Sequence, residues 1–229
     1  MPTPALSPSN HYLPRNHSAF SDLAKKYNGH VYEHHQIDHI DRLTYMPATI
    51  IRTNEDSIIK SDNSALNGAC FGLTMVVINT FFDYQSLIDQ VQSLEGIGKI
   101  RGYQFMQIRM RNTAHLVKLI CPQYRVSSRG FIRKESFYQH ASYMEKHDNC
   151  CYFFQMGCTG NTGHAICVYK LLDKISVYDP NLGFTFFLKS TMENVCYFLD
   201  EIHKILPKYG PPGSYERSLL KMQLPSSIV

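Results

Sequence analysis

The spacing of hydrophobic residues along the chain changes near its middle. From Cys70 to about residue 146 the pattern is helical, and apolar positions recur every three or four residues most clearly over 84–94, as in an amphipathic helix. Cys70–Phe82 is apolar nearly all round, which predicts a buried helix. Further helices are predicted over Ser21–Tyr27, Gln104–Leu119 and Lys134–Lys146.

Short segments rich in β-branched and aromatic residues follow, each bounded by Gly, Asn, Asp or Pro, and these predict strands. The segments are 150–158, 163–171, 174–180 and 183–189. Turn-sized connections make antiparallel neighbours of the last three. A strand near Ala48–Arg52 and a closing helix over Thr191–Leu206 complete the pattern. We therefore predict an α+β fold, in which a helical lobe with a buried helix packs on an antiparallel β-sheet.

Length and composition are those of one globular domain. The chain has 229 residues, of which 44% are hydrophobic and 18% charged, enough for a sizeable core. Residues 1–20 are rich in Pro, Ser and Asn and are expected to form an extended leader. They contain no apolar segment of the kind that a signal peptide needs. A single domain is expected over 21–229.

Charge and cysteine content disfavour several classes of protein. A formal net charge of +4 is too weak to indicate nucleic-acid binding by itself. Seven cysteines without regular spacing argue against a disulfide framework and for a reducing compartment. The longest uncharged apolar run, Ala69–Phe82, is shorter than the roughly 20 residues that span a bilayer.

One cysteine, Cys70, stands at the start of the predicted buried helix. The partial positive charge at a helix N-terminus favours the thiolate, which is the nucleophilic form of the side chain. The preceding Gly68-Ala69 leaves room for a substrate carbonyl and for backbone N–H donors. The structural alternative is a small buried apolar residue, which is common for cysteine.

Two further residues could act on that thiol. His164 opens a predicted strand after a Gly-rich turn, and Asp179 ends the next strand, 179 − 164 = 15 residues later. In an antiparallel hairpin the start of one strand lies near the end of the next, so the carboxylate is expected beside the imidazole. The alternatives are a structural histidine and an aspartate that initiates the turn before Pro180.

Three short motifs together resemble a known family. They are G-A-C-F-G-L at 68–73, G-H-A-I at 163–166 and V-Y-D-P-N-L-G at 177–183. With them the chain resembles the papain-like clan, most closely the YopT-type effector cysteine proteases of bacterial pathogens. The resemblance covers about residues 63–206. It implies a papain-like fold with Cys70 as nucleophile, His164 as base and Asp179 as the group that orients the imidazole.

Papain-like enzymes also place an amide side chain a few residues before the cysteine to stabilise the oxyanion. Asn63 and Asn67 compete for this role, and we favour Asn63 because Asn67 lies too close in sequence to fold back over the thiol. The backbone N–H of Cys70 would be the second donor. The implied reaction is thiol-dependent hydrolysis of a peptide bond. Deamidation, transglutamination or another acyl transfer on the same three residues remains open, as does a papain-like module that only binds a partner.

The resemblance also implies a place of action. Family members are effectors that a bacterium secretes without a cleavable signal peptide and that cleave a host protein in the host cytosol. No cofactor and no nucleic acid is expected. Basic residues over 25–26, 109–111 and 125–134 are interpreted as solvated faces; an acidic partner or peripheral contact with an anionic membrane is the alternative.

A histidine-rich segment over 29–39 is the only candidate for metal binding in the sequence. It pairs His30 with His34 and His35 with His39 at a spacing of four, which on a helix could bind zinc. Gly29 and the Val31-Tyr32 pair disfavour a helix there, and the number of ligands is small. No metal site is therefore expected.

Overall fold

A computed structural model describes residues 13–33, 69–110, 112–133, 136–157, 163–205 and 216–224. Within them the chain forms seven helices and one sheet of seven strands. The helices are α1 (Leu13–Lys26), α2 (Cys70–Asn79), α3 (Tyr84–Gln92), α4 (Leu94–Arg109), α5 (Thr113–Ile120), α6 (Tyr138–Glu145) and α7 (Met192–Ile205). The strands are β1 (Gly29–Glu33), β2 (Arg125–Arg133), β3 (Cys150–Gly157), β4 (Gly163–Leu171), β5 (Lys174–Asp179), β6 (Gly183–Leu188) and β7 (Glu216–Gln223).

The sheet is antiparallel throughout, in the order β1-β6-β5-β4-β3-β7-β2. The four central strands in sequence, β3 to β6, pair as consecutive neighbours, as the short turns between them predict. The outer strands β1, β2 and β7 join from distant parts of the chain. Strand β4 is therefore central and has neighbours on both sides.

Alternate residues of β4 face two separate hydrophobic cores, because successive side chains of a strand point to opposite faces. Ala165 and Cys167 pack in the core that contains α2 and α4. Ile166 and Val168 pack in the core that contains α6 and α7. The helix that carries Cys70 and the helix α7 consequently lie on opposite faces of the sheet.

Close packing between helices fixes the position of α2. A Cβ atom added to Gly72 would lie 2.1 Å from the carbonyl oxygen of Ile100 in α4, so no other residue fits without moving that backbone. All residues from Cys70 to Ile78 are buried. The prediction of a buried helix that begins at Cys70 is thus confirmed.

Other sequence predictions need correction. The leader is helical rather than extended from Leu13 onward, because Phe20, Leu23 and Ala24 pack in the core beside α7. The helix expected over 104–119 is two helices, since Met110 is extended and the side chain of Asn112 caps α5 by accepting from the amide of His115. Strands β1, β2 and β7 were not predicted. The strand expected near 48–52 lies outside the described residues.

Candidate active site

Cys70 differs in accessibility from the other cysteines that the structure describes. Its residue is 8% exposed, whereas the five other described cysteines are 0% exposed. It is the first residue of α2, where the helix presents the positive end of its dipole. The Thr74 hydroxyl lies 2.7 Å from the carbonyl oxygen of Cys70 and 3.1 Å from that of Ala165, which ties the first turn of α2 to β4.

The free amides at the start of α2 are capped by a residue from another helix. Ala69, at the N-cap, provides no side-chain cap. Instead the Gln104 side-chain oxygen accepts from the backbone amides of Phe71 and Gly72, at 3.1 and 3.3 Å. Its side-chain nitrogen donates to Gln107 at 3.1 Å. Gln104 therefore satisfies two helix-terminal amides without placing a negative charge beside the thiol.

His164 and Asp179 form a hydrogen-bonded pair in the sheet. The His164 Nε2 atom lies 3.0 Å from Asp179 Oδ1, and both side chains are almost fully buried. The backbone amide of Asn181 donates to the same oxygen at 2.8 Å. His164 also makes a side-chain hydrogen bond with Cys70. Because Nε2 faces Asp179, Nδ1 is the ring nitrogen left for the thiol proton.

The register of β4 and β5 explains how the pair meets. Cys167 pairs with Tyr178, so the next position aligns Asp179 with Ile166. His164 lies two residues beyond Ile166 and hence on the same face of the sheet. The two residues are therefore diagonal neighbours on adjacent strands rather than directly opposite each other. A histidine side chain is long enough to reach a carboxylate in the diagonal position. The expected proximity of His164 and Asp179 is observed.

Burial and mutual attraction act against each other on this pair. Burial opposes a charged imidazole, but the attraction of Asp179 and the hydrogen bonds outweigh it and raise the pKa of His164 to about 10. Burial likewise opposes the charged carboxyl, but the charge and hydrogen bond of His164, together with His203 and the Asn181 amide, outweigh it and hold the pKa of Asp179 below its usual value. The site therefore favours an imidazolium beside a carboxylate.

A second imidazole, which the sequence analysis did not identify, reaches the same carboxylate. His203, in the last turn of α7, is buried, and its Nε2 lies 4.0 Å from Asp179 Oδ2. It approaches from the face opposite α2. Gln104 and His203 both lie outside the sequence motifs, and neither lies in a recognisable pattern.

Several predicted residues cannot be placed against this geometry. Asn63, the favoured oxyanion donor, and its rival Asn67 lie outside the described residues. Of the histidine-rich segment, His30 lies on β1 and is exposed, while His34, His35 and His39 also fall outside. In the described ranges, no three His, Cys, Asp or Glu side chains are grouped so that they could hold a metal ion. Nor does any described helix have the length and apolarity needed to cross a membrane.

Comparisons with known proteins concern the fold. No family model matches the chain, and no curated protein matches its sequence. The structure is similar to the Pseudomonas avirulence protein AvrPphB, with a TM-score of 0.50 and 14% identity, over 69% of this chain and 93% of that one. It is also similar to PatoxP, a cysteine protease-like domain of the Photorhabdus asymbiotica toxin PaTox. That match has a TM-score of 0.49 and 12% identity, over 90% of this chain and 58% of PatoxP.

These findings define the class of protein at the level of the fold. The chain has the α+β, papain-like architecture that the sequence predicts, and its fold is similar to that of AvrPphB. At this level of identity the likeness concerns the fold alone.

Proposed function

We propose that the protein is a cysteine protease in which Cys70 is the nucleophile, His164 the general base and Asp179 the group that orients and charges His164. The observation that supports this assignment most strongly is the buried His164–Asp179 pair, hydrogen-bonded to a cysteine at a helix N-terminus. Such an arrangement converts a thiol into a thiolate next to an imidazolium. A cysteine kept only for packing would not need either partner.

The reaction follows from the ordinary chemistry of these groups. His164 accepts the Cys70 proton, and the thiolate attacks the carbonyl carbon of a peptide bond. The resulting oxyanion accepts hydrogen bonds from the Cys70 backbone amide and from Asn63, the donor predicted from the sequence. As the C–N bond breaks, His164 returns the proton to the leaving amine and a thioester remains. Water then attacks the thioester with His164 as base, which releases a carboxylic acid and the free thiol.

The substrate we propose is a protein of a host cell, and the site of action is the host cytosol. The neighbour AvrPphB is an avirulence protein, which favours an effector over a housekeeping protease. The described cysteines are free thiols, as expected for a protein that acts in a reducing compartment. On this proposal the enzyme is secreted by a bacterium, and it requires no cofactor.

The proposal is tested by mapping new protein termini. A eukaryotic cell lysate is incubated with the protein, and N-terminal peptides are identified by mass spectrometry. We expect new termini at one or a few sequences, absent when Cys70→Ala replaces the wild type. The Cys121→Ala variant, which removes another buried thiol, is the matched control and should retain the cleavage.

The same measurement separates the rival chemistries. A gain of about 1 Da on an intact glutamine would indicate deamidation, and a larger gain on an amine would indicate acyl transfer. In parallel, each cysteine is scored for alkylation by iodoacetamide at pH 6. If Cys70 reacts no faster than Cys121 or Cys196, the chain has no activated nucleophile and the proposed function is wrong.

A further inference from the structure

Asp179 is enclosed by polar groups from several elements, and its two oxygens have different environments. Oδ1 accepts from His164 on β4 and from the Asn181 amide in the following turn. Oδ2 is buried and accepts no hydrogen bond from any residue that the structure describes. A buried carboxylate oxygen in this condition is unfavourable, and the carboxylate can relieve it by rotating, which would withdraw Oδ1 from His164.

His203 is the group that faces Oδ2. Its Nε2 lies 4.0 Å away, and its side chain is as well buried as that of Asp179. At that separation the imidazole acts through its charge or its N–H dipole, and both interactions are strong in a site that excludes water. In keeping with this, the pKa of Asp179 is lowered: burial by itself would raise it, but the charge and hydrogen bond of His164, the charge of His203 and the Asn181 amide together outweigh burial.

The position of His203 is fixed by its own surroundings. Its ring packs edge to face against Phe137, with ring centroids 5.0 Å apart and an interplanar angle of 87°. One turn earlier in α7, the Asp200 carboxylate accepts from the backbone amides of Phe137 and Tyr138, at 2.8 and 3.0 Å. These contacts fasten the end of α7 to the start of α6. His203 is therefore held in place before any substrate arrives.

We propose that His203 is a positioning residue of the active site: its imidazole restrains Oδ2 of Asp179 and thereby keeps Oδ1 on His164. The site is then a line of four side chains, from Cys70 through His164 and Asp179 to His203, that passes from one face of the sheet to the other. His203 does not touch the reacting atoms. This role rests on the proposed function in one respect, because it assumes that His164 is the general base for Cys70.

Two substitutions separate positioning from packing. His203→Leu removes every polar group, whereas His203→Gln keeps an N–H donor close to the position of Nε2 without a titratable ring. Because the restraint on Oδ2 is electrostatic and the site excludes water, we expect His203→Leu to slow the alkylation of Cys70 at pH 6 about tenfold, and His203→Gln to stay within about twofold of wild type. His140→Leu, which removes a buried imidazole from α6, is the control and should leave the rate unchanged.

Side-chain NMR of His164 tests the inference independently of reactivity. The proton on Nε2 of His164 should resonate far downfield in the wild type and in His203→Gln, and should move upfield or broaden in His203→Leu. If this resonance and the Cys70 rate in His203→Leu match the wild type, His203 has no positioning role. Equal losses in His203→Gln and His203→Leu would also overturn the inference.

Failure of the inference is distinguishable from failure of the proposed function. A wild type in which Cys70 shows no preferential alkylation contradicts the protease proposal, whereas the His164 resonance still decides whether His203 restrains Asp179. All rates are measured at temperatures where circular dichroism shows each variant folded. If His203→Leu does not fold, His203→Asn replaces it: asparagine is polar but too short to reach Oδ2, so the same tenfold loss is expected.

Discussion

Strand β4 carries a buried ion pair near each end, and the two pairs are built differently. Near the start of β4, His164 pairs with Asp179, and the two side chains are 4% and 3% exposed. Near its end, Lys170 is 7% exposed, but its partners Glu145 and Asp148 are 50% and 61% exposed. The first pair is enclosed by protein, while the second opens onto water through its carboxylates.

Every donor of the Lys170 ammonium has a partner. It donates to the Glu145 carbonyl oxygen at 2.6 Å and lies 3.0 and 3.1 Å from the carboxylates of Glu145 and Asp148. The other carboxylate oxygen of Glu145 accepts from the backbone amide of Met192, the first residue of α7, at 2.7 Å. Lys170 therefore fastens β4 to α6 and to the start of α7. This pair stabilises the fold, and the Lys170 ammonium stays charged near neutral pH.

The pair at the other end can exchange a proton. His164 is bonded to a thiol as well as to a carboxylate, and one oxygen of Asp179 accepts no hydrogen bond from the described residues. In an enclosed site each charge strongly affects the others, so one proton transfer alters the whole group. The comparison separates two kinds of ion pair. In the structural pair, every donor of Lys170 has an acceptor and the carboxylates are exposed to water. In the candidate catalytic pair, water is excluded and the charge of each group depends on that of the others.

The largest expected effect is the loss of Asp179. In Asp179→Ala, His164 loses the two largest interactions that raise its pKa while the burial that opposes its charged form remains, so the imidazole no longer stabilises a thiolate. We expect the rate of Cys70 alkylation at pH 6 to fall by about 100-fold or more. Asp148→Ala, which removes a carboxylate from the other pair, should keep the wild-type rate. A rate within twofold of wild type in Asp179→Ala would show that another group charges His164.

Loss of Lys170 should lower the stability of the protein and leave the reactivity of Cys70 unchanged. Lys170→Met keeps most of the apolar stem but leaves the Glu145 carbonyl and two carboxylates without their cation. We expect the free energy of unfolding in urea to fall by about 2 kcal/mol. Cys70 alkylation at pH 6 should not change.

A lysine on an exposed surface provides the control for that experiment. Lys174→Met removes an ammonium that lies over the Phe186 ring at 4.6 Å, and it should cost less than about 0.5 kcal/mol. If Lys170→Met slowed the alkylation of Cys70 and left the free energy of unfolding unchanged, the proposed contrast between the two ion pairs would be wrong.

The two pairs should also differ in how their stabilisation depends on pH. His164 has a folded pKa raised from 6.5 to about 10, so its contribution is complete below pH 6.5 and is lost as the pH rises through 10. Asp179 has a folded pKa below 3.8, so its contribution is complete above pH 3.8 and is lost as the pH falls through the folded value. The stability difference between wild type and Asp179→Ala should be greatest between pH 4 and 6.5, where it should exceed about 1.4 kcal/mol.

Lys170 should behave otherwise over the same range. Burial lowers its pKa, but its hydrogen bonds to Glu145 and Asp148 raise it above 10.5, so the ammonium stays charged in both folded and unfolded chains below that pH. The stability difference between wild type and Lys170→Met should be flat from pH 6 to pH 9. Urea unfolding of the three proteins at unit pH intervals measures both curves, and a flat curve for Asp179→Ala would contradict the ion-pair interpretation.

The smallest expected effect concerns the neutral cap on α2. Gln104→Glu keeps an oxygen on the amides of Phe71 and Gly72 but adds a negative charge near the thiol, which disfavours the thiolate. We expect Cys70 alkylation at pH 7 to slow about threefold without loss of stability. Gln107→Glu adds the same charge about one turn further along α4 and should have a smaller effect. A faster rate in Gln104→Glu would mean that the carboxylate acts mainly by stabilising the start of α2, and that its negative charge does not disfavour the thiolate.

Local sequence determined much of this molecule. Strands β3 to β6 follow from short apolar segments and tight turns, because neighbouring strands joined by a few residues have little choice of register. The hairpin of β4 and β5 also brings His164 close to Asp179. The apolar run that begins at Cys70 predicts the helix that carries the third side chain of the candidate site. Asn63 stays a prediction, since it lies outside the described residues.

Only the tertiary structure decided the rest. Strands β1 and β7 find partners far away in the chain, so no local pattern reveals them. Gln104 caps an amide 33 residues away, and His203 reaches Asp179 over 203 − 179 = 24 residues, from another helix on the opposite face of the sheet. Side chains that act across elements are specified by packing, and the cores that hold these two helices form only when the whole sheet is assembled.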